Sequence, residues 1–184
     1  MIRIGVTGHR VLTEFEKIDA GVEAALRRIE DKFPGEAMTV ISALAEGADR
    51  IVVGHVLARS GARLVVPLPL RKSDYMTDFT SRESRAEFSN LLERAAEVVE
   101  MPGATSREQA YEAAGIYVLD NSDVLITIWD GREAQGRGGT ADIVERARKR
   151  RLPIAWVHAG NRKPDSHEPV SLGDEQGFVT FENI

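Results

Sequence analysis

Residues 124–129 read Val-Leu-Ile-Thr-Ile-Trp, apolar at odd and even positions alike. A strand with one wet face alternates apolar and polar side chains. A strand without that alternation is covered on both faces, as in the parallel sheets of α/β proteins. Leu64-Val65-Val66 repeats the pattern, and Ile2 to Thr7 also reads as a strand. Segments of another period lie between these runs. Ile18, Val22, Ala25, Leu26 and Ile29 recur at spacings of three and four, which marks one face of a helix. Strands separated by helices imply a parallel sheet joined by right-handed crossovers.

The pattern predicts strands over 2–7, 39–42, 63–67, 97–101, 123–129 and 153–158, with 177–182 able to add an edge strand. Thr13 and Glu16 have the spacing of a capping box for the first helix, which Pro34-Gly35 stops. Further helices are expected over 45–60, around Phe88, Leu91, Leu92 and Ala95, and over 106–119 and 138–150. The stretch 68–81 reads as an irregular loop whose Tyr75 and Phe79 are placed to close over a base. Tyr117 and Trp129 read as packing residues. Tyr111 and Tyr117, six apart, face different sides of their helix, so at most one points at a ligand. The fold class is α/β, a mostly parallel sheet of about six strands with helices on both faces. The first, second, third, fifth and sixth strands are expected at its centre. One domain spans 1–184, with 160–184 a polar C-terminal extension.

The 184 residues suit one domain and include no cysteine, which excludes disulfides, thiolate metal sites and cysteine nucleophiles. No stretch resembles a signal peptide and no apolar run is long enough to span a bilayer, so a cytoplasmic protein without a membrane partner is expected. The net charge of −5 argues against a protein that holds nucleic acid through its phosphates. Arg146, Arg148, Lys149, Arg150 and Arg151 form a basic run. It reads as a solvated helix end, where cations meet the negative pole of the dipole, with a local nucleic-acid patch as the alternative.

In open parallel sheets, ligands sit outside the carboxyl ends of the strands. Three strand ends stand out. After the first come Thr7, Gly8, His9 and Arg10: a hydroxyl, a residue that lets the backbone approach a ligand, an imidazole without a second histidine nearby to make a metal site, and a forked donor suited to phosphate. After the second, Ser42 offers a hydroxyl, Glu46 a carboxylate for a ribose, and Gly47 a tight start to the helix with amides open to an anion. Glu46 and Asp49 have a plainer reading as acids at the positive end of a helix. After the fifth come Asp130 and Gly131, then Gly136, Arg137, Gly138, Gly139 and Thr140. This glycine-rich loop opens a helix whose first amides favour a phosphate. The sequence carries neither G-x-x-x-x-G-K-[ST] nor G-x-G-x-x-G after the first strand, so neither a P-loop ATPase nor a dinucleotide dehydrogenase is indicated.

Taken together, these motifs resemble the SLOG superfamily, which groups DNA-processing protein A with the LOG-type nucleotide phosphoribohydrolases. Val40 to Asp49 is similar to the S-G-L-A-x-G-I-D segment of DNA-processing protein A, and Val6 to Arg10 to that family's G-x-R. Ser122 to Ile126 followed by Gly138-Gly139-Thr140 is similar to the S-D-A-x-I strand and P-G-G-x-G-T loop of the LOG proteins. The similarity covers about residues 1–158. It implies a Rossmann-like sheet, a nucleotide-type ligand and a homodimer. The departures matter as much. The arginine that LOG hydrolases carry on the helix before the fifth strand falls near Ala114-Gly115, and their G-T-x-x-E glutamate falls at Ile143. Arg107 and Asp142 are the nearest stand-ins.

Three functions follow from this reading. The first is a sensor or carrier binding a nucleotide or nucleotide-derived, phosphate-bearing small molecule, with no other cofactor indicated. The second is an N-glycosidic hydrolase acting on a nucleoside monophosphate. The third is a single-stranded nucleic-acid binder.

Overall fold

A computed structural model describes residues 1–133 and 137–184. Gly136 of the glycine-rich loop lies outside the described residues. The strands are β1 (Ile2–Gly8), β2 (Met38–Ile41), β3 (Arg63–Leu68), β4 (Glu97–Glu100), β5 (Val124–Trp129), β6 (Ile154–His158) and β7 (Val179–Glu182). They form one seven-stranded sheet in the order β4-β3-β2-β1-β5-β6-β7. Every pairing is parallel except β6 with β7. The helices are α1 (Phe15–Lys32), α2 (Ala48–Leu57), α3 (Lys72–Tyr75), α4 (Arg82–Glu93), α5 (Arg107–Asp120) and α6 (Thr140–Lys149).

The unalternating runs occupy the middle of the sheet as expected. Every residue of β2 and β5 is buried, whereas edge strand β4 is mostly exposed. β1 divides its side chains between two cores. Ile2, Ile4 and Val6 join α1 and α2 in the larger one, while Gly5 faces α5, where an added Cβ would stand 2.8 Å from Val118 Cγ1. Leu125 and Trp129 of β5 pack with Val118, Leu119, Ile143 and Val144 of α5 and α6 in the smaller core. The architecture is Rossmann-like, with one strand more than the six counted from sequence because β7 completes the edge. No described helix is long and apolar enough to cross a membrane.

Several local expectations are corrected. Thr13 caps nothing. Helix α1 starts at Phe15 behind Glu14, which adopts the left-handed φ of 53°, and the Thr13 carbonyl accepts a hydrogen bond from Gln176 Nε2 at 2.9 Å. The second helix begins at Ala48 rather than 45, because the loop before it turns through positive φ at Leu44 (60°) and Gly47 (75°). Tyr75 and Phe79 do not stand free as a flap, although Tyr75 also lines a cleft at the carboxyl end of β1. Both are buried in an edge-to-face aromatic cluster with Phe88, ring centroids 5.0–5.6 Å apart. The stretch carrying them is ordered by α3 and a 3-10 turn at Met76–Asp78.

The C-terminal stretch is part of the domain. Gln176 is buried and its amide oxygen accepts from the backbone N–H groups of Gly160 and Leu172 at 3.0 and 3.1 Å. Gly177 lies against the backbone of Lys17 in α1.

Candidate functional site

Connections from β1 through β4 move outward to one side of the sheet. The connection to β5 then returns to the other side of β1. The strand order therefore reverses between β1 and β5, and crevices in open α/β sheets open at such a reversal. A cleft of about 540 Å³ lies there, at the carboxyl ends of these strands. Thr7, Gly8, His9 and Arg10 contribute its β1 side, Ala43, Ala45 and Asp49 a second wall, and Gly138, Gly139 and Thr140 a third. The face of α5 formed by Tyr111, Ala114, Gly115 and Val118 closes it, and Asn161 and Arg162 reach it from the segment after β6. A second hollow of about 480 Å³, lined by Asp130, Arg132 and Lys163, shares His9, Gly139 and Thr140 with it.

Arg10 is exposed, and its guanidinium lies 5.6 Å from the centroid of the Tyr111 ring. The Tyr111 hydroxyl donates to Asp78, whose carboxylate also binds Arg107 at 2.6 Å. Arg107 is thereby committed to Asp78 rather than standing in for a catalytic arginine. His9 ties the ends of β1 and β5 together. The backbone N–H of Asp130 donates to His9 Nε2 at 3.1 Å. Burial lowers the His9 pKa and outweighs the Asp130 carboxylate, whose Oδ1 lies 3.1 Å from Nε2.

Gly8 serves packing more than ligand approach. A Cβ there would stand 2.6 Å from the Ile128 carbonyl oxygen and also strike Ala48. Gly47 presses on the same turn: its φ is 75°, and a Cβ would meet the carbonyl oxygens of Arg10 and His9 at 2.5–2.6 Å. The Ala48 amide donates to the His9 carbonyl at 3.1 Å.

Ser42 is not a ligand contact. It is fully buried, its hydroxyl donates to Asp49 Oδ2 at 2.7 Å, and it accepts from the Leu44 amide at 3.0 Å. The Ala45 amide also donates to Asp49 Oδ2, at 3.4 Å. The amides of Leu44, Ala45 and Ala48 in this turn are thus used within the protein. Glu46 turns away from the cleft and accepts from the Ser84 hydroxyl, beside a separate hollow that it shares with Gly47 and Arg10. Asp130 lines the second hollow only, and Gly131 lines neither; its φ of 77° makes a turn beside the Trp156 ring.

The Gly138 amide is not open to an anion, because it donates to Asp142 Oδ2 at 2.9 Å. Its φ is 72°, and a Cβ would stand 2.7 Å from the Glu112 amide nitrogen, so this glycine lets the loop lie on α5. The Arg137 amide donates to Glu108 at 3.2 Å. Gly139 and Thr140 remain as the open end of α6, whose first amides have no acceptor within the helix. Space around Gly139 is empty. Burial opposes ionisation of Asp142, but the Gly138 amide and Arg146 outweigh it and hold the carboxyl below its usual range.

Asp49 is a cleft residue that sequence reasoning assigned only to the helix dipole. It is 6% exposed. Burial pushes its carboxyl up to about 6, against the pull of Ser42, Ala45, Arg10 and Arg50. The α5 face was also legible as Tyr111, Ala114, Gly115 and Val118 at helical spacing, with small residues where a ligand needs room. Asn161 and Arg162 follow a strand end, the signal that found the other loops.

Gly115 and Ile143, where the resemblance would put the LOG arginine and glutamate, pack on each other. A Cβ on Gly115 would stand 2.9 Å from Ile143 Cγ1, and Ile143 is buried. Four of the five cations of the basic run at the end of α6 are paired: Arg146 with Glu112 and Asp142, Arg148 with Glu182, Lys149 with Glu145, and Arg150 with Asp120. Comparison with protein-family models gives no match, and comparison with curated proteins gives none.

Proposed function

We propose that the protein binds a nucleotide or nucleotide-derived, phosphate-bearing small molecule in the cleft between β1 and β5, as a sensor or carrier. The observation that carries this reading is the meeting of Thr7–Arg10 with the open start of α6 at Gly139 and Thr140, in one cavity at the reversal of strand order. A helix start and a forked guanidinium both favour a phosphate, and Tyr111 adds an aromatic wall. The resemblance to the SLOG proteins agrees with a nucleotide-type ligand and extends the proposal to a homodimer. Binding without base release is favoured over phosphoribohydrolase activity, because an apolar contact between Gly115 and Ile143 stands where the resemblance would put the hydrolytic pair. The pairing of the α6 cations with carboxylates, together with the acidic total, counts against single-stranded nucleic acid.

Calorimetry with ribonucleoside monophosphates on the wild type, Arg10→Ala and Gly139→Val tests the proposal. Loss of a charged hydrogen bond worth about 1.5–3 kcal/mol weakens binding about tenfold to a hundredfold, which is the expectation for Arg10→Ala. Gly139→Val is expected to do at least as much harm, by blocking approach, without unfolding a position that has open space. Unchanged affinity in both variants, with folding intact, removes the phosphate cradle. The same incubations are expected to release no free base.

A further inference from the structure

We propose that Asp49, rather than Glu46, is the acceptor that orients the ligand, through a hydrogen bond from a sugar hydroxyl to its Oδ1, so that the cleft selects ribonucleotides over their dideoxy counterparts. The inference rests on the nucleotide-binding reading and adds a substrate class to it.

The two carboxylate oxygens of Asp49 have different surroundings. Oδ2 takes both internal bonds, from the Ser42 hydroxyl at 2.7 Å and the Ala45 amide at 3.4 Å. Oδ1 accepts no bond from any described residue, while Asp49 itself lines the cleft. Oδ1 is not among the buried polar atoms closed off without a partner, so a donor on a bound molecule can reach it and gain a charge-assisted hydrogen bond there. Arg10 faces the same cavity, and its charge acts on Asp49. A ligand whose phosphate lies at Arg10 and the start of α6 must therefore present something other than a second anion to Asp49. A neutral hydroxyl fits, because it donates without bringing charge. Glu46 lacks this opportunity. Its carboxylate is engaged by Ser84 and it does not line the cleft.

The Ser42–Asp49 bond also supplies a conservative test. In Asp49→Asn the side-chain carbonyl oxygen can replace Oδ2 and keep both internal bonds. The amide group then stands where Oδ1 stood, turning an acceptor into a donor. Ribonucleoside monophosphates and their dideoxy counterparts are titrated into the wild type, Asp49→Asn and Glu46→Gln, each checked for folding by circular dichroism. The wild type and Glu46→Gln are expected to prefer the ribonucleotides by about tenfold to a hundredfold, the span of a charged hydrogen bond. Asp49→Asn is expected to bind both sets equally, at the level of the dideoxy compounds. Should the wild type bind both sets with equal affinity, or Asp49→Asn keep the preference, the assignment of Asp49 is overturned and the phosphate cradle stands. If neither set binds the wild type at all, the nucleotide-binding reading falls and this assignment with it.

Discussion

At the scale of the residue, Asp49 concentrates the conflict between folding and function in this chain. A carboxyl in a nearly closed environment resists ionisation, and burial pushes this one up to about 6 from an ordinary 3.8. Between those values the folded protein holds a proton that the unfolded chain has released. The stabilisation is therefore complete below the unfolded value and is lost as pH rises through the folded one. His9 works with the opposite sign: its lowered pKa makes stability fall as pH drops below its ordinary 6.5. Asp49→Asn removes the first contribution and leaves the second. The expected outcome is that the variant gains on the wild type by about 1 kcal/mol between pH 5 and pH 8. Urea unfolding of both proteins at the two values measures it. A constant difference would mean that Asp49 is not perturbed by burial.

At the scale of the element, the end of β1 is tightly packed. Gly8 pairs in register with Ile128 of β5 and lies beneath Ala48, the first residue of α2. The turn that offers Thr7 and Arg10 to the cleft is thus clamped between a neighbouring strand and a helix start. A methyl group at residue 8 must push one of them away. Gly8→Ala is expected to cost about 1–3 kcal/mol, the usual range for overpacking, read as a lower urea midpoint at unchanged slope. Wild-type stability in the variant would mean that the turn yields more easily than its contacts imply. Helix α6 shows the complementary design. Its first turn leaves Gly139 and Thr140 open, while its last turn is bound into salt bridges that tie it to α5 and β7.

At the scale of the whole molecule, the segment after β6 holds both the sheet edge and the site wall. Gln176 is the link. Its side chain accepts from Gly160 and Leu172 and donates to Thr13, joining the chain before α1 to the stretch that carries Asn161 and Arg162 into the cleft. Gln176→Ala leaves those three backbone groups without their partner. The expected loss is about 2–4 kcal/mol, since each unsatisfied buried group costs about 1–3 kcal/mol and water recovers part of it. Denaturant unfolding measures the loss. A change below about 0.5 kcal/mol would show the C-terminal segment to be an appendage after all.

The sequence by itself determined the layers. Unalternating apolar runs such as Val124–Trp129 must be covered on both faces, and the three-and-four spacing of Ile18 to Ile29 must present one face to a core. Both are local properties of period. Strand ends also pointed to the cleft, because topology alone places ligands there. Tertiary structure decided which groups remained available. Ser42 and Gly138 carry the right chemistry at strand ends, yet their donors are consumed by Asp49 and Asp142. Glu46 was claimed by Ser84, which lies 38 residues away in sequence. Tyr75 and Phe79, polar-loop aromatics on paper, were drawn inside by Phe88. A hydrogen bond or ring contact to a residue distant along the chain leaves no trace in local spacing. Chemistry could therefore be read from the sequence, while the freedom to use it was settled by the partners that the fold supplied.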